Sequence, residues 1–113
     1  MDANPPQLLV VDDDPTSIQV IAMTLDEIGE VSFATDGESA LRMLATQPAD
    51  LVLLDAEMPG MDGFATCAAI RDAHPDLPVI FVTAASDPAS EVRALELGAV
   101  DFISKPVNPP VVV

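Results

Sequence analysis

Two hydrophobic patterns alternate along the chain. Unbroken apolar runs at Leu8 to Val11, Leu51 to Leu54 and Val79 to Val82 are separated by longer stretches in which apolar residues recur every three or four positions. Short unbroken runs suit strands buried on both faces, and the spaced pattern suits helices with one buried stripe. After the first run, Ile18, Ile21, Ala22, Leu25 and Ile28 predict a helix with Asp14 as N-cap, Pro15 at the first helical position and Gly29 as the stop. Val31 and Phe33 then alternate with Ser32 and Ala34, as in a half-exposed strand. The next helix, from about Gly37 to Thr46, presents Ala40, Leu41, Leu44 and Ala45 on one side before Pro48 ends it.

The run Leu51 to Leu54 ends at Asp55, where a buried strand would leave its sheet. Met58-Pro59-Gly60-Met61 places Pro and Gly where a type II turn wants them, and Asp62 offers a cap for a helix from Gly63 to about Ala73 with Phe64, Cys67, Ala68 and Arg71 on one face. The fourth strand delivers Thr83 as the third delivers Asp55. Asp87-Pro88 starts a fourth helix marked by Val92 and Leu95 and stopped at Gly98, and Val100 to Ser104 reads as a fifth strand. Strand and helix therefore alternate as in an α/β protein with a doubly wound parallel sheet. The three wholly apolar strands belong at the centre and the mixed second and fifth at the edges, which fits strand order 2-1-3-4-5, the flavodoxin-like (βα)5 arrangement.

One domain, residues 1–113, accounts for this pattern. A helix after the fifth strand is expected to cover the sheet beside the first helix, but Val107-Asn108-Pro109-Pro110-Val111-Val112-Val113 reads only as its beginning. The sequence thus predicts a truncated last helix, uncovered apolar surface and self-association.

Charge narrows the function. Nineteen acids against four bases give a formal charge of -15, which argues against direct nucleic-acid binding and fits a domain that takes cations or a basic partner surface. No apolar run approaches the roughly 20 residues of a membrane span, no signal peptide opens the chain, and Cys67 has no second cysteine to pair with, so a cytoplasmic location is expected. The single lysine, Lys105, follows a strand instead of lying on a helix face.

In a parallel sheet the carboxyl ends of the strands share one edge, and ligands bind in the crevice there. That edge would collect Asp12 and Asp13 from the first strand, Asp55 from the third, Thr83 from the fourth, and Ser104 and Lys105 from the fifth. Carboxylates so close repel unless one is protonated or a cation sits among them. Oxygen donors with room for water suit Mg²⁺ or Mn²⁺. A carboxylate beside a metal, a lysine and a hydroxyl is placed to accept a phosphoryl group as nucleophile, giving an aspartyl phosphate. Asp14 reads as a helix cap, His74 as a surface residue near a helix C-terminus, and Cys67 as packing.

The segments LLVVDDD at 8–14, LVLLDAEMPGMDG at 51–63, VIFVTA at 79–84 and GAVDFISKP at 98–106 together resemble the receiver domain of two-component response regulators, the CheY-like family. The resemblance implies that Asp55 is the phosphoacceptor and that Asp13, Asp55 and the main-chain carbonyl of Glu57 ligate Mg²⁺, with Asp12 positioning the ion or acting through water. It implies further that Thr83 and Lys105 hold the phosphoryl group, that Lys105-Pro106 is a cis peptide, and that Phe102 is the aromatic partner of Thr83 in the switch. Phe102 lacks the phenol hydroxyl that some outputs would need. The implied partners are a sensor histidine kinase or phosphotransfer protein as donor and an output domain or target protein that the sequence does not identify. Two other readings stand beside this one: a receiver-like module that associates without accepting phosphate, and an aspartyl-phosphate phosphohydrolase. The intact acids, Thr83 and Lys105 weigh against the first. The nucleophile's place on the third strand and the small size of the chain weigh against the second, so no enzymatic turnover beyond the domain's own phosphorylation and dephosphorylation is expected.

Overall fold

The computed structural model describes residues 5–58, 60–83 and 88–104. Strands β1 (Gln7–Val11), β2 (Glu30–Ala34), β3 (Leu51–Leu54), β4 (Val79–Thr83) and β5 (Asp101–Ser104) form one parallel sheet in the order β2-β1-β3-β4-β5. Helices α1 (Pro15–Leu25), α2 (Gly37–Thr46), α3 (Gly63–Ala73) and α4 (Pro88–Glu96) alternate with the strands, giving the flavodoxin-like arrangement expected from the pattern.

The central strands are apolar throughout because both their faces are covered. Leu9, Val11, Val52, Leu54, Val79 and Phe81 pack with Ala40 and Leu44 of α2, Phe64, Cys67 and Ile70 of α3, and Ala94 of α4. Val10, Leu53 and Val82 face the other way, onto Ile18 and Ile21 of α1. The period of two along each strand thus sorts neighbouring residues into two cores. The closing helix foreseen after the fifth strand falls outside the described residues. On the α1 face, Ile80 is half-buried and Ile103 is 39% exposed.

Three helix starts follow their caps. Asp14 accepts from the Thr16 amide at 3.0 Å, Asp36 from Ser39 at 2.7 Å and Asp62 from Ala65 at 2.8 Å. The Ser39 hydrogen bonds hold the Asp36 carboxyl below its ordinary value of 3.8. Asp87, read as the fourth cap, lies outside the described residues, as does Pro59. Gly60, at φ +74°, has the left-handed backbone that the third position of a type II turn requires.

Several expected helix faces are corrected. Helix α1 ends at Leu25, and the Leu25 carbonyl accepts from both Ile28 and Gly29 in a closing turn, which puts Ile28 outside the buried stripe at 58% exposure. Gly29 is not a left-handed stop. A Cβ there would strike the Pro6 carbonyl oxygen, so the residue permits two backbone segments to pass closely. Ala45 and Ala68 point to solvent, and the buried stripe of α3 is Gly63, Phe64, Thr66, Cys67 and Ile70. Val92 and Leu95, the apolar residues that marked α4 in the sequence, are 54% and 47% exposed, while Ala94 is fully buried. Helix α4 lies toward the sheet edge, so a narrow stripe suffices. It is completed by Arg93, whose guanidinium sits 4.2 Å over the ring of Phe64. Gly98, at φ +99°, ends this segment as foreseen, with Ala99 donating back to the Ala94 carbonyl at 3.1 Å.

Candidate functional site

The register of the sheet decides which strand ends meet. Val11 of β1 lies beside Leu54 of β3, so the next residues, Asp12 and Asp55, leave the sheet side by side. Their amides are still held by the ladder, Asp12 donating to the Ala34 carbonyl at 3.1 Å and Asp55 to the Val11 carbonyl at 2.9 Å. Each carboxylate then turns its own chain. An Asp12 side-chain oxygen accepts from the Asp14 amide at 2.9 Å, and an Asp55 oxygen accepts from the Glu57 amide at 3.1 Å. Two identical aspartate turns, on adjacent strands, thus fix two carboxylates at one point of the sheet edge.

Asp13 completes the cluster. One carboxylate oxygen from each of Asp12, Asp13 and Asp55 lies within 4.8 Å of the others. Asp12 is 1% exposed and Asp55 6%, whereas Asp13 is open to solvent. Bringing three carboxylates together, two of them out of water, is unfavourable unless positive charge or a proton accompanies them. Hard oxygen donors with one exposed side fit a small divalent cation that keeps part of its water shell. The donor set therefore fits the metal expected from the sequence.

Thr83 ends β4 and is fully buried. Leu54 pairs with Phe81, which puts Thr83 one residue beyond the level of Asp55, and Thr83 itself pairs with Ser104 of β5. Glu57 is exposed, directly after the turn that its amide closes. Asp14 serves as the cap of α1. Lys105 and Pro106, with the cis peptide expected between them, lie outside the described residues. Phe102 is half-buried at the end of an aromatic stack, 6.2 Å between centroids from Phe81, which is 5.3 Å from Phe64.

Two features escaped the sequence reading. Gly63 was seen only as a helix start, although its amide donates to the Ala56 carbonyl at 3.0 Å against the segment carrying Asp55. The signal available was a glycine at the first helical position, where a side chain is usually tolerated. The stack of Phe64, Phe81 and Phe102 under Arg93 joins α3, two strands and α4, and no local spacing reveals it.

Cys67 is fully buried, and burial pushes its thiol above its ordinary value of 9.0. A disulfide reagent at mildly alkaline pH should therefore label it only as fast as the domain unfolds. Labelling of the native protein at the rate of the denatured chain would contradict this placement.

A five-stranded parallel sheet with an acid-lined crevice at its carboxyl edge defines a flavodoxin-like α/β domain with a cation-suited site. Residues 8–113 match the family model described as the response regulator receiver domain. The chain belongs to that family. It is 40% identical over 110 residues to the "Probable transcriptional regulator ycf27" of Cyanophora paradoxa, covering 96% of this chain and 46% of that protein. The chain thus spans about half the length of this curated relative. Among solved structures, chemotaxis protein CheY4 of Vibrio cholerae superposes with a TM-score of 0.87 at 31% identity, covering 95% of this chain and 91% of that one. The "BeF3 Activated DrrB Receiver Domain" gives 0.85 at 32% identity, covering 92% and 87%. Among the described residues, no helix is long and apolar enough to cross a membrane.

Proposed function

We propose that this domain accepts a phosphoryl group on Asp55 from a phosphohistidine of a sensor histidine kinase or phosphotransfer protein, and so switches a surface read by an output domain or target. The observation that carries the reading is the convergence of Asp12, Asp13 and Asp55 at one strand edge, with the buried Thr83 at the end of the neighbouring strand. The BeF3-activated DrrB receiver domain, which has the same fold, supports it.

In the proposed reaction an Asp55 carboxylate oxygen attacks phosphorus as the bond from phosphorus to the histidine nitrogen breaks, and the departing imidazole takes a proton from solvent. The aspartate turn to the Glu57 amide aims the carboxylate and keeps it from rotating away. Asp13, Asp55 and the main-chain carbonyl of Glu57 would hold Mg²⁺, with Mn²⁺ as a substitute, and Asp12 would position it. A bound divalent ion would supply the positive charge that lets a phosphoryl anion approach these carboxylates. The Thr83 hydroxyl donates to one phosphoryl oxygen and Lys105 pairs with another. In a separate hydrolytic step water attacks phosphorus, the Asp55 carboxylate leaves and inorganic phosphate is released, so the domain catalyses only its own modification and its reversal.

Thr83 moving toward the phosphoryl group would draw Phe102 inward from the end of its stack and shift α4 and β5. Val92, Leu95 and Val100 are exposed there, and this face is the one offered to an output partner or to a second chain. The test is incubation with Mg²⁺ and a small acyl phosphate followed by intact mass. Wild type should gain one phosphoryl adduct, and Asp55→Asn, or wild type with the metal chelated, none. An unmodified wild type that is folded by circular dichroism would overturn the reading.

A further inference from the structure

The start of α3 is pressed against the residues that carry the acidic site. A Cβ built on Gly63 would come 2.6 Å from the Ala56 Cα and 2.8 Å from the Asp55 carbonyl carbon, and closer still to the Asp55 carbonyl oxygen. All three are backbone atoms, so no side-chain rotation could make room. Gly63 also donates its amide to the Ala56 carbonyl at 3.0 Å, and the Asp62 cap holds the helix start in place. From these contacts we infer that Gly63 is a positioning residue for Asp55: the bare backbone at the first turn of α3 is the stop against which the Asp55–Glu57 segment is set.

The opposite side of that segment is fixed by the Asp55 amide on the Val11 carbonyl and by the turn to the Glu57 amide. A methyl group at position 63 would push the Asp55 carbonyl and the Ala56 backbone away from the helix start. The displacement passes directly to the Asp55 carboxylate and to the Glu57 carbonyl, two groups assigned to the metal. Gly37 offers a comparison. A Cβ there would strike the Thr66 hydroxyl and approach the Met61 sulfur at 3.1 Å, which also crowds the first turn of a helix but meets side chains on the α2 and α3 contact.

The inference rests on the reading of Asp55 as a metal-assisted phosphoacceptor, and the experiment separates the two. Wild type, Gly63→Ala and Gly37→Ala are compared for melting temperature, Mg²⁺ affinity and acyl-phosphate phosphorylation rate at saturating Mg²⁺. Gly63→Ala should weaken Mg²⁺ binding by about tenfold or more, as loss of a supporting contact does at metal sites, and slow phosphorylation at saturating metal. Gly37→Ala should stay within about twofold of wild type in both, although its melting temperature also falls. Gly63→Ala that melts lower yet binds Mg²⁺ and reacts like wild type overturns the inference, as does an equal functional loss in Gly37→Ala. If Gly63→Ala does not fold, Asp62→Ala, which loosens the helix start, carries the test against Asp62→Asn, which keeps the cap and removes the charge. Weaker Mg²⁺ binding in Asp62→Ala alone supports the inference, and equal affinity in the two variants overturns it. A wild type that binds no Mg²⁺ and takes no phosphoryl group refutes the underlying reading instead.

Discussion

Asp13→Asn should make the metal-free domain more stable while reducing its affinity for Mg²⁺ by about tenfold or more. The opposed signs come from one geometry. Oxygen atoms of three carboxylates lie within 4.8 Å of one another, and two of the acids are buried. Two like charges at about 5 Å repel by roughly 3 kcal/mol at an effective dielectric of about 20, and the exposure of Asp13 lowers its share to about 1 kcal/mol. That is enough to raise the melting temperature by about 4 °C in a chelating buffer. Binding reverses the order, because a cation stabilises the folded state in proportion to the logarithm of its concentration over its dissociation constant. As Mg²⁺ is added, the melting temperature of wild type should climb past that of Asp13→Asn. Melting curves across a Mg²⁺ titration would show the crossing. A variant that melts lower than wild type in chelator and shows an unchanged Mg²⁺ dependence would mean that the three acids do not share an ion.

What could be read from sequence here depended on how local the determinant was. The sheet order was legible because burial on two faces leaves a signature within four or five residues, as in Leu51 to Leu54. The site followed from topology, since parallel strands place Asp12, Asp13, Asp55 and Thr83 at one edge whatever the details of packing. Helix faces were less legible. Val92 and Leu95 have helical spacing and apolar side chains, yet these two are exposed and α4 rests on Ala94 and on Arg93 over Phe64. Periodicity identifies a stripe but does not say which neighbour is near enough to cover it. Ile28 shows the same limit, because a helix that closes at Leu25 rotates the following residue out of the stripe. Gly29 and Gly63 were read as punctuation, and both instead admit another stretch of backbone, Pro6 for Gly29 and Asp55–Ala56 for Gly63, a closeness that hydrophobic spacing does not encode.

Phe81→Ala should be the most damaging core substitution, costing about 3–5 kcal/mol, a large part of the 5–15 kcal/mol typical of a domain. Phe81 is fully buried in the middle of β4. Its ring is flanked by Phe64 at 5.3 Å and Phe102 at 6.2 Å, so truncation opens a cavity and removes both ring contacts at once. Phe102→Ala should cost less than half as much, because its ring is half-buried on an edge strand and has one ring partner among the described residues. Denaturant titrations with unchanged slope would separate these values from changes in the unfolded chain. Equal losses at the two positions would show that Phe102 is as much a part of the core as Phe81. The expected inequality has a functional consequence. If Phe102 is the switch residue, a ring at the end of the stack could turn while Phe81 and Phe64 stay in place, so the sheet would keep its core. Phe64 also carries Arg93 on its face, which ties α4 to the fixed part of the stack. On the proposed function, movement at the acidic edge would then be largest at the β5 end and smaller in α4, which Arg93 holds to Phe64.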